Sequence, residues 1–554
     1  MNQYLRRKIW TLNRSGKFRG YLRTVSGYPV TLTDCIAGQP VSLAVDGNTV
    51  QDGTPTPDNP VQIQMCGDRT VNLFDVQNIN WNDITSGINA SNSIHFENGV
   101  IRFVRNTVFY NQCRMLASIQ LKPNTTYTMM YDHAVMNYKD GTSITRNTPY
   151  FRIYKSSNID STFNDTGLNN YYAATSSTIL TFTTDETTDF EILFNSAVVS
   201  TTRLNTLKSY EVHGFMLIEG AYTAETMPAY EPYGYKVPLT MTGMNLLSNN
   251  ENDWVSNVGT YKYFTIPVEG TTTLQAKIKE GKSIPEKLYL GYSKNGMDAT
   301  GDVTWLISNG ILNGAPIRTS ELKYISIHPK TALLDEIFDS LDIMLIEGAY
   351  TSETMPAYEP YREPRTFNIY TPQQLAKVGK TADEVVVDFE KRTAELRKNV
   401  GSAAFTGDED WYTNREPTDT QNYFVSNLTS KKVNEALSSL SSHFVSTTAN
   451  ILALNEAKVQ SFINGTAWYG ACVDSAVYPD IASFKQFVTE QYSKGNPLTV
   501  YHAIEPVTTD ITSLQQWDAM PSLWSGTAEI TADTVIAPSA ITAKYYASKP
   551  EEVN

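Results

Sequence analysis

The sequence has few cysteines, few histidines and no long apolar run, and each shortage excludes something. No apolar stretch in its 554 residues approaches the roughly 20 that a membrane-spanning helix needs. The four cysteines, Cys35, Cys66, Cys113 and Cys472, are scattered without a Cys-x-x-Cys spacing, so neither a disulfide framework nor a zinc site is expected, and assembly in a reducing cytosol fits. The N-terminus has charge but no apolar core of a secretory signal, so a role outside the cell would need another exit, such as lysis. Charged residues are only 18%, which leaves the surface to uncharged polar side chains. The balance of 44 basic against 58 acidic residues, net −14, argues against nucleic acid, whose phosphates demand a basic footprint. One local run departs from that balance: Arg6, Arg7, Lys8, Arg14, Lys17, Arg19 and Arg23, interleaved with Trp10, Phe18 and Tyr21. It reads as a docking arm for an acidic partner, with a nucleic-acid arm as the alternative.

Catalytic signatures are missing too. The sequence has no Gly-x-Ser-x-Gly elbow, no His-Glu-x-x-His, no phosphate loop and no Gly-x-Gly-x-x-Gly. The six histidines (95, 133, 213, 328, 443, 502) have no partner at ligand spacing. Paired carboxylates remain, because glycoside hydrolysis needs only two acids at a set separation. The suggestive cluster is Asp408-Glu409-Asp410 beside Trp411. Neighbours on a strand alternate faces, so three in a row cannot all aim at one bond. The plainer reading is a charged hairpin end whose Trp411 packs on the core, and the chain is read as a non-enzyme.

What the sequence does have is a repeat. Met216 to Tyr233 reads MLIEGAYTAETMPAYEPY and Met344 to Tyr361 reads MLIEGAYTSETMPAYEPY, identical at 17 of 18 positions at an offset of 128. Two copies of one module that end alike follow from this. Each also opens alike, Asn72-Leu-Phe-Asp75 and Asn245-Leu-Leu-Ser248, with 144 residues from opening to repeat in the first copy and 99 in the second. The 45 extra residues are expected in loops or one hairpin, and loop variation on a constant scaffold is how binding surfaces diversify. The 33 tyrosines and the scarcity of long amphipathic periods favour β structure.

The expected fold is mainly β and multidomain: tandem β-sandwich or jelly-roll modules with a β-rich C-terminal domain containing a short helix. The expected divisions are an N-terminal attachment segment (1–71), a first module (72–235), a second module (236–364) and a C-terminal domain (365–554). In the N-terminal segment, Gly38-Gln-Pro40 and Asp46-Gly-Asn48 predict tight hairpins, and the prolines at 55, 57 and 60 predict a rigid extended connector. Strands are predicted at 100–104, 126–131, 150–154, 179–183 and 190–194. In the C-terminal domain, 375–380 predicts a short helix, and 383–400 a hairpin because three consecutive valines are β-biased. Apolar positions 481, 484, 487 and 488 predict a helix stopped at Lys494-Gly495, then a strand from Leu498 ending at Pro506, with closing strands at 528–530 and 541–546.

The run Gly47 to Val61, GNTVQDGTPTPDNPV, with Asn72-Leu-Phe-Asp75 after it, resembles tail and minor structural proteins of phages and prophages of Gram-positive bacteria. The repeated Leu-Ile-Glu-Gly…Tyr-Glu-Pro-Tyr ending resembles the last strand of carbohydrate-binding-like jelly rolls carried by those proteins. The resemblance implies a virion tail or baseplate component assembled in the host bacterial cytoplasm. Its partners would be other tail proteins and a host cell-surface glycan, and it would form a homo-oligomer, with a trimer the first choice. Candidate sugar-contacting residues are Trp81, Tyr171, Tyr172, Trp254, Tyr261, Tyr263 and Trp305, each with core packing as its competing reading. Glu219 and Glu347 in the repeat are either ligands of a structural calcium or carboxylates that satisfy a turn; no other cofactor is expected. Two rival roles stand beside receptor binding: a purely structural tail spacer, and a glycan hydrolase.

Overall fold

The computed structural model describes residues 30–32, 41–45, 49–51, 53–83, 92–105, 114–146, 150–158, 173–175, 178–195, 207–243, 245–256, 260–268, 270–294, 303–363, 365–389, 391–413, 421–427, 439–446, 460–464, 468–520, 528–532 and 541–545. The chain is mainly β, in many antiparallel sheets in a multidomain arrangement, with two α-helices among the described residues, Leu334–Ser340 and Ile481–Ser493. Neither is long and apolar enough to cross a membrane.

Each module opposes a three-stranded sheet to a larger one. In the second module the small sheet runs Ile317–Thr319, Thr272–Ile278, Leu341–Glu347, and the large one runs Trp254–Ser256, Lys262–Thr265, Tyr324–His328, Tyr289–Ser293, Val303–Ser308, Ile311–Leu312. The first module repeats this order with one strand fewer in the large sheet: Ile179–Thr183, Thr126–Met130, Met216–Glu219 opposite Trp81–Asp83, Arg114–Gln120, Asp189–Asn195, Tyr150–Lys155, Ala173–Thr175. The five predicted strands of this module are all present. Much of its extra length is one hairpin. The strands Trp81–Asp83 and Arg114–Gln120 are separated by 30 residues (84–113), where their counterparts Trp254–Ser256 and Lys262–Thr265 are separated by five (257–261). The hairpin Asn92–Glu97/Val100–Arg105 lies in that insertion, turning at Asn98-Gly99 with φ of 50° and 76°. An Asn-Gly pair at positive φ is the preferred two-residue hairpin turn.

The duplicated ending is a clasp that closes each module. Its strand buries Met216, Leu217 and Ile218 in one copy and Met344, Leu345 and Ile346 in the other. Gly220 and Gly348 follow at φ 121° and 108°, where a side chain would strike the ring of Tyr222 or Tyr350, so glycine is required. The Thr128 hydroxyl donates to the Gly220 carbonyl (2.8 Å) and accepts from the Tyr222 amide (3.1 Å). Thr273 does the same with Gly348 (2.7 Å) and Tyr350 (3.0 Å). The opening asparagine is the other half. The amide nitrogen of Asn72 donates to Phe215 O (3.3 Å) and Glu231 O (3.0 Å), and its oxygen accepts from the amides of Phe74 (3.0 Å) and Leu217 (3.1 Å). Asn245 makes the same four bonds, to Ile343 O (2.9 Å), Glu359 O (3.1 Å), Leu247 N (3.1 Å) and Leu345 N (3.1 Å). One buried amide thus ties the first residue of the module to its last strand and to the Tyr-Glu-Pro-Tyr tail.

The segment before residue 72 is woven into the C-terminal region. Val41–Val45 lies between Glu384–Asp388 and Ile541–Tyr545, and Val30–Leu32 pairs with Ala528–Ala532. These strands therefore find distant partners and are not paired with each other as local hairpins; the two predicted turns, like the basic N-terminal run, lie outside the described residues. The proline-rich stretch is not an extended connector. It folds back at Thr56 and Asn59, which exchange backbone bonds (3.2 and 3.1 Å), and so joins the paired strands Val50–Gln51 and Ile63–Gln64. Tyr235–Gly243, assigned from sequence across the two modules, pairs instead with Arg365–Thr371, Ala528–Ala532 and Asp68–Arg69.

In the C-terminal region the predicted hairpin forms between Glu384–Asp388 and Thr393–Phe405. Residues 375–380 are not helical. Leu375 exchanges backbone bonds with Cys66 (2.8 and 2.9 Å), and Gly379 at φ 61° turns a two-residue hairpin of Lys377–Val378 with Thr381–Ala382. The helix Ile481–Ser493 starts at a capping box between Asp480 and Ser483 and buries Phe484, Phe487 and Val488. The following strand, Leu498–Asp510, runs through Pro506 instead of ending there. Its register against Thr393–Phe405 shifts between Lys398 and Val400, and this bulge frees Pro506 from a ladder bond it could not donate.

Candidate functional site

The structure sorts the candidate aromatics into two groups. Trp81 and Trp254 occupy equivalent places at the start of each module's large sheet and are core residues, not platforms. Trp254 is buried, its indole donating to Ser248 O (2.9 Å), and Trp81 packs between Phe103 (5.5 Å) and Phe194 (5.3 Å). Each follows the opening asparagine by nine residues and seals the module behind it. Tyr171 and Tyr172 lie outside the described residues.

Tyr261, Tyr263 and Trp305 instead gather on the outer face of the second module's large sheet. Period-two alternation explains the division. Phe264, Leu290, Tyr292, Ile325 and Ile327 point into the core, so the residues between them point out. One register row across the outer face runs Val255, Tyr263, Ser326, Gly291, Trp305. The small residues at its middle form a floor, where any side chain on Gly291 would collide with the Thr304 carbonyl. Around this floor Tyr261 and Trp305 lie near-parallel, 6.3 Å apart at 19°. Tyr289 stands edge-on to Trp305 (5.5 Å), and both tyrosines meet the His328 ring, at 4.9 and 5.5 Å. Tyr263 and Tyr324 form a second edge-on pair at 5.4 Å. All six rings are half-buried, so each is held by its neighbours and still reaches solvent. Sequence reasoning missed Tyr289, Tyr324 and His328, whose alternation with Leu290, Ile325 and Ile327 was the available signal.

Such a face offers flat π surface to C–H groups and phenol hydroxyls as donors and acceptors, which suits a sugar ring. The first module has no such ring group among its described residues. On its equivalent strands Leu116, Leu193 and Tyr154 are buried, and Ser118 donates to Glu191 (2.8 Å).

The acidic candidates are engaged otherwise. Glu219 pairs with Lys122 (2.8 Å), and no group of three or more His, Cys, Asp or Glu side chains among the described residues could hold a metal ion. The partner of Glu219 is thus a cation on the neighbouring chain segment, and among the described residues no turn amide donates to it. Glu409 accepts from the amides of Thr406 (2.7 Å) and Gly407 (2.9 Å), and Trp411 is packed in the core against Phe405 and Phe484. Burial raises the Glu409 carboxyl, but these amide bonds outweigh it and hold the group below the ordinary glutamate range. It is a turn residue.

The fold does bring two of the scattered histidines together. His133 and His213, cross-strand partners in the first module, stack at 4.2 Å and 16°. Burial, then the neighbouring His133, lowers the His213 pKa, against the opposing pull of Glu211 and Asp132. The folded state therefore resists protonating His213, while the unfolded chain takes a proton at about pH 6.5. The stability this group contributes is complete above that pH and falls away as the pH drops below it. Urea titrations at pH 7.5 and 5.5 are expected to show a larger loss for the wild type than for His213→Gln; equal losses would contradict this.

No protein-family model matches the chain, and a search of curated proteins finds no relative.

Proposed function

We propose that the chain is a tail or baseplate component of a phage of Gram-positive bacteria, and that it contacts host cell-wall polysaccharide through the outer aromatic face of the second module. The observation that carries the contact is the half-buried group of Tyr261, Tyr289, Trp305 and His328 over a floor of glycine and serine. The phage assignment rests on the resemblance of residues 47–61 and of the repeated endings. Single-site sugar affinity is weak, and a homo-oligomer of such chains, three in our reading, would multiply it through effective concentration. Other tail proteins would be the remaining partners, and no chemical step is assigned. The spacer reading is favoured by a different observation: Trp81, Trp254 and Trp411 all serve cores, and the described residues of the first module hold no such ring group.

The test is a pull-down of the labelled full-length chain on intact Gram-positive cells, with and without their purified wall polysaccharide. Binding that the polysaccharide abolishes supports the contact. No binding across a panel that includes the natural host would favour the spacer.

A further inference from the structure

We infer that the second module is a separately folding head joined to the scaffold by two neighbouring chain connections, whereas the first module is built into the scaffold, and that surface binding belongs to the head alone. The chain leaves the scaffold after Gly243 and returns at Arg365, and these ends are adjacent because Met241 and Arg365 are partners in one antiparallel pair. The sheets between them pair only with one another among the described residues. The second module's core, from Leu246 to Leu345, likewise draws on no described residue outside the module. A unit with its own core and two neighbouring connections opens and closes as one cooperative body.

The first module has no such independence. Phe96 of its inserted hairpin packs on both the module core and the scaffold core. The hairpin's turn is held by the 511–520 segment: the Asn98 amide donates to Ser513 O (3.2 Å), and the Trp517 amide donates to the Asn98 side chain (3.2 Å). Gln516 donates to Tyr230 O (2.7 Å), and the Arg69 guanidinium lies 4.2 Å from the Tyr233 ring centroid. The insertion that lengthens the first module thus works as a tether, and the shorter module is left free to present its face.

The folding part of this inference is independent of ligand; the binding part rests on the polysaccharide reading. Both are tested by calorimetry of the full-length chain carrying Leu290→Ala, or the milder Ile325→Val should the first fail to fold; both residues are fully buried in the head. The expected result is that one transition falls by roughly 10 °C for Leu290→Ala while the others stay in place. A common shift of every transition, or a single transition throughout, would overturn the autonomous head. Wall polysaccharide should then raise only the Leu290-sensitive transition, since a ligand stabilises the unit it binds. A rise in another transition would overturn the head's role. No rise at all, with the transitions still separate, would refute the polysaccharide reading and leave the autonomous head standing.

Discussion

Replacing Asp383 with alanine is expected to lower the stability of the C-terminal region by about 3–5 kcal/mol, the range for removing one partner of a buried ion pair. Asp383 is fully buried, and its carboxylate is surrounded by donors. One oxygen accepts from the amides of Asn399 (2.8 Å) and Val400 (3.0 Å); the other accepts from the Ala376 amide (2.8 Å) and from Lys398 Nζ (2.5 Å). The two amides at 399 and 400 stand where the register shift interrupts the ladder to Leu498–Asp510. The carboxylate therefore replaces the strand partner that the bulge removes. Alanine would leave three amides without a partner and a nearly buried ammonium with only the Gln374 carbonyl (3.3 Å) to receive it. Asp383→Asn can still accept from some of the amides but cannot balance Lys398, so its loss should be smaller. Urea denaturation gives both values, and a loss below about 1 kcal/mol for the alanine variant would contradict this role.

Asn245→Ala is expected to cost the second module about 2–4 kcal/mol, since each buried polar group left unpaired costs about 1–3 kcal/mol and relaxation recovers part of the sum. Four backbone groups lose their partner at once: the carbonyls of Ile343 and Glu359 and the amides of Leu247 and Leu345. Asn245→Asp should be no better, although it is nearly the same shape. It keeps the acceptor for the two amides but turns a second oxygen toward two carbonyl oxygens. Asn72 predicts the same pair of outcomes in the first module. By contrast Ala224→Ser should be silent: the one position at which the repeats differ is exposed in both copies and makes none of the clasp bonds described above. Thermal unfolding of these variants checks the series, and an Asn245→Asp protein as stable as wild type would contradict the clasp.

The fold class and most strands were legible because they rest on local signals: period-two alternation, the valine run at 385–387, and, for the helix, the period of positions 481, 484, 487 and 488. Asn72 and Asn245 were visible as an echo, although their four-bond role required knowing what lies opposite. What stayed hidden depends on distant partners. Val41–Val45 looks like half of a hairpin until Glu384–Asp388 and Ile541–Tyr545 flank it. Pro506 looks like a strand end until Asp383 pays for the bulge beside it. For the candidate site, Trp81 and Trp254 misled because a tryptophan in a turn-rich stretch does not reveal which way it points. Register decides that, and register places Trp305 beside Gly291 on the outer face.

The clasp occurs in both modules, whereas the aromatic face, where we propose the contact, is found in the second alone among the described residues. The most direct test compares two full-length variants in the polysaccharide-competed cell pull-down, after confirming that both fold as wild type. Trp305→Ala, which removes the ring shared by Tyr261 and Tyr289, is expected to lower binding at least about tenfold, the loss typical of a central aromatic anchor. Glu219→Gln with Glu347→Gln, which alters the repeat without touching that face, is expected to bind as wild type. Binding retained by Trp305→Ala and lost with the glutamates would put the contact in the repeat and contradict the account.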